Sequence, residues 1–504
     1  MDTYSIVDYY AYQTQRECGY CNRPNTNCNH GMWAQLLSVQ DYQNLIDRGW
    51  RRSGCYCYKP TLDKTCCPMY TIRCEALDFK ITKSQKKILK RMGKFLRNEL
   101  PLDKITNDSI IDTPDNIDTN NLEARIFEDH RLRAEENISQ MKVESMEGKI
   151  ENRLGICQEE ELSNQSRQDL STQKVDVPFL EKKSSTTHEE SSTGRKTLQD
   201  PSKPPPKKAK LMRVERKKKK LLAQGKSPED IDILFKSNKQ IIVKSVEDLY
   251  DEIHGGVKKL ETKLVRVMSD EFLETLDVSA SLYKKYQMAI HKNEPEECSK
   301  QFFFNFLVKS PLQPYKPENG PPQGYGSFHE QYWLDGKLIA VAVIDVLPIS
   351  VSSVYFFYDP EYSFLSLGTF SSLREICLTR QLNKLASALK YYYMGFYIHS
   401  NVKMRYKAKI RPSKLLCPET YVWCDIDRSI AKLDKEKYSR LNEDIDAIDI
   451  DGIVDIEKVK ILSSNGVMKY RSYEHRSEEE DESVREYAKL VGMKCAQNMI
   501  LYRK

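Results

Sequence analysis

Between residue 101 and about residue 235 the chain is rich in Asp, Glu, Asn, Ser, Thr and Lys and poor in aromatic residues, and it includes the runs SSTTHEESSTGRK and PSKPPPKKAK. Such a stretch cannot bury enough apolar area to offset the entropy of ordering it. It therefore reads as a largely disordered charged linker, and what folds must do so on either side of it. Residues 1–100 form a Cys- and Tyr-rich first module. Residues 240–430 form a strongly apolar and aromatic second module. Residues 431–504 read as an acidic C-terminal tail, with IDAIDIDGIVDIE, SEEEDES and a short helix. A chain of 504 residues fits two or three domains, and no solenoid-length period repeats.

Charge adds little by its sum, only +6, and more by its placement. Met1 to Tyr10 contains Asp2 and Asp8 and lacks a cationic, apolar leader, and no run is apolar enough to span a bilayer. The expectation is a soluble intracellular protein with no membrane partner. Of 14 cysteines, eight precede residue 75. In a reducing compartment these are thiols, and their concentration suggests a metal or cluster.

In the first module, Ser84 to Asn98 reads as a helix, with Ile88, Leu89, Met92, Phe95 and Leu96 on one side. The other side carries Lys83, Lys86, Lys87, Lys90, Arg91 and Lys94, a row of cations able to neutralise successive phosphates or simply to face solvent. In the second module, QYWLDGKLIAVAVIDVLP predicts a hairpin about Asp335-Gly336. SSVYFFYDP predicts a strand, about Thr369 to Leu389 a helix, and YYYMGFYIH a further strand. That order gives an α/β, or α+β, sheet domain. The junction from Tyr358 to Ser372 is where a helix N-terminus can meet phosphate or a developing oxyanion.

Cys18-Gly-Tyr-Cys21 with Cys66-Cys67 supplies four thiolates, suited to zinc or an iron–sulfur cluster. Cys28, His30, Cys55, Cys57 and Cys74 are spare candidates. The run from Gly49 to Gly54, with Arg51 and Arg52, then Tyr56, Tyr58, Lys59 and Pro60, suits RNA or an anionic end group. Aromatics from Tyr325 to Trp333 and from Tyr391 to Tyr397 suit base stacking, although core packing explains about half of them. No Walker A, GxGxxG or GxSxG pattern occurs, so no nucleotide cofactor is expected.

At these residues the chain resembles a known family. GWRRSG, YKP, CCPMYTIRC and SQKKILKRM resemble the N-terminal half of eukaryotic arginyl-tRNA–protein transferases. YGSFHEQYWLDGKLIAVAVIDVLP, SSVYFFYDPEYSFLSLG, YYYMGFYIHS, MRYK and RPSKLLCPETYVW resemble the C-terminal half, and the likeness covers about residues 1–98 and 280–425. The resemblance implies an acetyltransferase-like (GNAT-type) second module that transfers arginine from Arg-tRNA to proteins with N-terminal Asp, Glu or oxidised Cys. It implies downstream ubiquitin-pathway factors of N-degron degradation. It also implies Cys18, Cys21, Cys66 and Cys67 as a regulatory set holding an iron–sulfur cluster or zinc. The acyl-CoA loop of true acetyltransferases is missing, since Phe364-Leu-Ser-Leu-Gly368 stands in its place.

The substrates then suggest roles. Asp345, Asp359 and Glu375 are candidates for the arginyl guanidinium. Arg52, Arg73, Lys403, Arg405 and Lys414 are candidates for the acceptor's acidic side chain, and Tyr332, Trp333 and Tyr397 for the terminal adenosine. Ser366 and Gly368 are placed at the reacting carbonyl, with His399 as a proton relay. The run Lys207–Lys220 is a nuclear-import or RNA-contact candidate beside a cytoplasmic location. Two other readings fit less of the chain: a metal-stabilised RNA-binding protein without catalysis, and an acetyl-CoA-dependent N-acetyltransferase.

Overall fold

In a computed structural model of the protein, residues 4–100, 209–231 and 244–503 are described. Residues 1–146 and 244–504 fall in one compact unit and 147–243 in another. Most of the linker expectation lies outside the described residues. Within the described part Ala209–Ala223 is a helix, the lysine-rich run having good helix formers and no Gly or Pro inside it.

Strands are numbered along the chain: β1 Ile6–Arg16, β2 Asn27–Leu36, β3 Arg51–Ser53, β4 Tyr56–Pro60, β5 Tyr70–Glu75, β6 Leu260–Arg266, β7 Gly326–Leu334, β8 Lys337–Leu347, β9 Ser350–Tyr358, β10 Tyr391–Tyr397, β11 Ser413–Leu416, β12 Trp423–Asp425, β13 Lys460–Ser463, β14 Gly466–Lys469 and β15 Ile500–Tyr502. Among the described residues the α-helices of six residues or more are α1 Val39–Ile46, α2 Lys83–Leu96, α3 Ala209–Ala223, α4 Val246–Asp251, α5 Leu276–Tyr286, α6 Leu367–Asn383, α7 Ile426–Leu433, α8 Glu478–Val491 and α9 Met493–Asn498.

Two sheets carry the main unit. One runs β14-β13-β15-β1-β2-β4-β3, the other β12-β11-β5-β10-β9-β8-β7-β6. The mixed α/β class expected from sequence is what the chain adopts. The predicted hairpin is β7–β8, turning at Asp335 and Gly336, both with positive φ. Strand β8, LIAVAVIDVL after Lys337, is buried along its length, as befits the middle of a covered sheet. An antiparallel β7–β8–β9 meander is followed by α6 and then by β10 parallel to β9, the crossover that suits an acetyltransferase-like domain.

The expected domain boundaries do not describe the strand pairing. Strand β5, placed by sequence in the first module, lies in the second sheet between β10 and β11. The supposed acidic tail carries β13, β14 and β15, and β15 pairs parallel with β1. A strand needs only a free edge, and distance along the chain does not restrict which edge it finds. Helix α2 begins one residue earlier and ends two residues earlier than expected; its start is set by a capping box between Thr82 and Gln85. Helix α6 ends at Asn383 rather than near Leu389.

A buried ion pair ties the two sheets together. Arg52 of β3 makes two bonds to Asp345 of β8, at 2.9 and 2.6 Å, and Ser327 donates to the same carboxylate at 2.8 Å. Tyr393 of β10 donates to Asp47 after α1, and Ser350 donates to Gln43 of α1.

Candidate active site and metal centre

The site forms where two parallel strands part. Strands β9 and β10 pair only over Ser350–Ser352 and Tyr391–Tyr393. Beyond that β10 bulges, and Gly395 takes a φ of +66°, a conformation that costs a residue with a Cβ about 1 kcal/mol. Between the diverging strands is a cavity of about 170 Å³. Its walls include Ser352, Ser353 and Phe356 of β9, Tyr392 and Phe396 of β10, Gly368, Ser371 and Glu375 of α6, and Arg51, Tyr58 and Lys407.

Its electrostatics are set by the Glu375 carboxylate and by the Arg51 guanidinium, which forms no ion pair among the described residues. Glu375 is 1% exposed, and its Oε1 accepts from Ser371 at 2.6 Å. Its Oε2 has no well-formed hydrogen bond, although the Tyr392 and Ser353 hydroxyls are close enough to ease the charged form. Burial, reinforced by Glu330, pushes its pKa up to about 7. Arg51 donates to the Trp50 carbonyl at 2.9 Å and lies over the Tyr393 and Phe396 rings. Its Nε has no partner, and burial pulls the guanidinium below its ordinary value. The first turn of α6, where Gly368 lines the cavity, has amides with no acceptor inside the helix.

The thiols of Cys18, Cys21, Cys66 and Cys67 converge, with all four sulfurs within 4.8 Å of one another. The Cys18 thiol is pulled down to about 5, chiefly by a hydrogen bond from Cys67. The thiolate is the form that binds metal. The donor set therefore fits a metal ion. Cys57 and Cys74 are buried in the core, and Cys55 shares an apolar cluster with Cys18 and Cys67 without joining the four converging sulfurs. The centre abuts the cavity: Tyr20 lines both, and Cys18 and Cys67 pack in one apolar cluster with Tyr58, Phe396 and Met404.

Family models for the N terminus and the C terminus of arginine-tRNA-protein transferase match residues 16–87 and 278–417. The arginyl-tRNA–protein transferase 1 of Drosophila melanogaster is 42% identical over 505 residues, covering 98% of this chain and 99% of that protein. The chain belongs to the arginyl-tRNA–protein transferase family. The Arabidopsis thaliana transferase 1 is 35% identical over 485 residues, covering 87% of this chain and 76% of its own. An aspartate/glutamate leucyltransferase of Campylobacter jejuni is 38% identical over 85 residues, 17% of this chain and 34% of that one.

In this family member several residues singled out from sequence sit elsewhere than expected. Asp345 is committed to Arg52, so neither is open to a substrate charge. Asp359 is paired with Lys285 and Lys337. Arg73 lies over the Tyr391 and Trp423 rings and bonds Glu75, and Lys414 pairs with the same glutamate. Arg405 is exposed and donates to the His399 carbonyl; the side chain of Lys403 lies outside the described residues. Tyr332 and Tyr397 are 1% exposed and offer no stacking face, and Trp333 bonds Gln331. His399 is held between Tyr397 and Asp434 and does not line the cavity. Ser366 faces Arg91 of α2, while Gly368 and Glu375 do line the cavity.

On sequence grounds Arg51 belongs to a run suited to an anionic end group and Tyr392 to a set of rings suited to base stacking, with no finer role for either, and nothing in the sequence singles out Lys407 or Ser371. Along α2, Lys83, Lys87, Lys90 and Lys94 are exposed on one side, while Lys86 and Arg91 are part-buried.

Proposed function

We propose that the cavity between β9 and β10 is where arginine passes from Arg-tRNA to the α-amino group of a protein beginning with Asp or Glu, marking it for ubiquitin-dependent degradation. The observation that carries this is Glu375, the acidic group among the named cavity-lining residues, buried with an uncommitted oxygen. A guanidinium can bind it and supply the charge that burial denies it. Arg51, buried without an ion pair among the described residues, is the matching receptor for the acceptor's carboxylate. Membership of the transferase family leaves no support for the non-catalytic or acetyl-CoA readings.

The ester of Arg-tRNA is already activated. The acceptor amine, with a pKa of about 7.7–8.0, loses a proton readily near neutrality. It attacks the ester carbonyl, a C–N bond forms, the C–O bond to the terminal ribose breaks, and the ribose oxygen takes up the proton. The chain's part is to hold the two substrates in attack geometry. The free amides at the start of α6 support the oxyanion. The lysine row of α2, behind the loop before α6, suits the tRNA backbone.

Purified protein with labelled Arg-tRNA is expected to label peptides beginning with Asp or Glu and not with Ala; equal labelling of all three would sink the reading. At the cysteines, the close sulfur spacing suits one tetrahedral ion, whose edge at a Zn–S bond of 2.3 Å is about 3.8 Å. We expect about one zinc per chain by elemental analysis. Iron with sulfide would point to a cluster instead, and neither metal would refute the centre.

A further inference from the structure

We propose that a second cavity, on the opposite face of β4 from the transfer cavity, is a binding site for a small free oxyanion, a carboxylate or a phosphate. Successive side chains of a strand point to opposite faces. Tyr58 lines the transfer cavity, and Lys59 lines the second one, of about 170 Å³, with His30, Arg48, Thr61, Thr71 and Tyr421. The two cavities are therefore separated by the thickness of one strand.

Unmet polar groups converge there. Lys59 is 8% exposed, and its Nζ donates to the Tyr421 hydroxyl at 2.6 Å and to the Leu490 carbonyl at 3.2 Å. An ammonium has three donors, and no carboxylate forms an ion pair with Lys59 among the described residues. Thr71 is 2% exposed, and its hydroxyl is buried without a partner, as is that of Thr61. Arg48 beside them is satisfied, bonded to Asp449 and to the Lys489 and Leu490 carbonyls and stacked over Tyr421.

The result is a buried lysine that pairs with no carboxylate among the described residues and lines one cavity with hydroxyls that lack partners, an arrangement completed by an oxyanion. Burial holds the Lys59 amine well below the ordinary lysine range; Arg48 adds to this and Asp449 opposes it. His30, Asp63, Tyr421 and Tyr438 also line the cavity. An arriving anion favours the ammonium form, so binding takes up a proton. The motif read from sequence as suited to an anionic end group thus serves two faces, Tyr58 one and Lys59 the other.

The test uses the full-length protein titrated with sodium phosphate or sodium acetate against sodium chloride at equal ionic strength. The expected result is a saturable rise in melting temperature of a few degrees with at least one of the two anions. Calorimetry in buffers of different ionisation enthalpy should show proton uptake. Lys59→Met should abolish the effect, and Thr71→Val, which keeps the side-chain shape, should weaken binding several-fold. Should Lys59→Met fail to fold, Thr71→Val decides. Which anion binds identifies the source. No saturable shift, or one unchanged in both variants, overturns the proposal. So does Lys59-dependent binding of an Asp-starting peptide without binding of either free anion, which would make this an acceptor subsite.

Discussion

At the scale of single residues, charge is decided by what burial leaves unpaired. Asp345 and Glu375 look alike in sequence, each an acid in an apolar run. Asp345 meets Arg52 and becomes a link between the sheets. Glu375 meets hydroxyls and keeps one oxygen uncommitted. Its raised value makes the folded protein bind a proton more tightly than the unfolded chain does, whose Glu titrates near 4.3. The stability this gives is full at low pH and is lost as pH rises through about 7. Glu375→Gln should therefore flatten the fall in unfolding free energy between pH 4.5 and 8, by on the order of 3 kcal/mol. The same variant should lose arginine transfer by roughly 30–100-fold in kcat/KM, the scale of one charge-assisted hydrogen bond. Urea melts and transfer rates at both ends of that range check both; a variant as active as the wild type would rule out the guanidinium role.

Elements carry function through what they leave exposed and where they stop pairing. Helix α2 buries Leu89, Met92, Phe95 and Leu96, so its lysines at 83, 87, 90 and 94 face outward together. Changing these four to Gln should weaken Arg-tRNA binding and lower the slope of log affinity against log salt by about one for each phosphate no longer neutralised. A slope that does not move would place the tRNA elsewhere. Strands β9 and β10 show the other case. Their pairing ends at Ser352 and Tyr393, and the gap that follows is the cavity. Both strands and α6 were legible from apolar runs and turn residues. The divergence was not, because it depends on how far the two strands twist apart once α6 has crossed between them.

Over the whole molecule, the two ends of the main unit are woven into one sheet. Strand β15 fits between β13 and β1, and Leu501 is fully buried. Leu501→Ala should lower the unfolding free energy by about 2–4 kcal/mol, the cost of a buried leucine. A solvated tail would show almost no change on denaturant melting, so the measurement separates the two arrangements. Arg48 of the first half, bonded to Asp449 near the end of the chain, shows the same interleaving at the side-chain level.

The amino-acid order alone was enough for what depends on neighbours in the chain. The cysteine set, the basic helix, the β7–β8 hairpin, the α/β class and the family resemblance all rest on short runs whose spacing carries the signal. Tertiary structure alone decided which charges pair and which stay open, that β5 and β15 cross to distant sheets, and that Lys59 and Tyr58 serve separate cavities. The reason is physical. A residue's propensity and periodicity act locally, while burial, ion pairing and strand pairing depend on atoms brought together from hundreds of residues away.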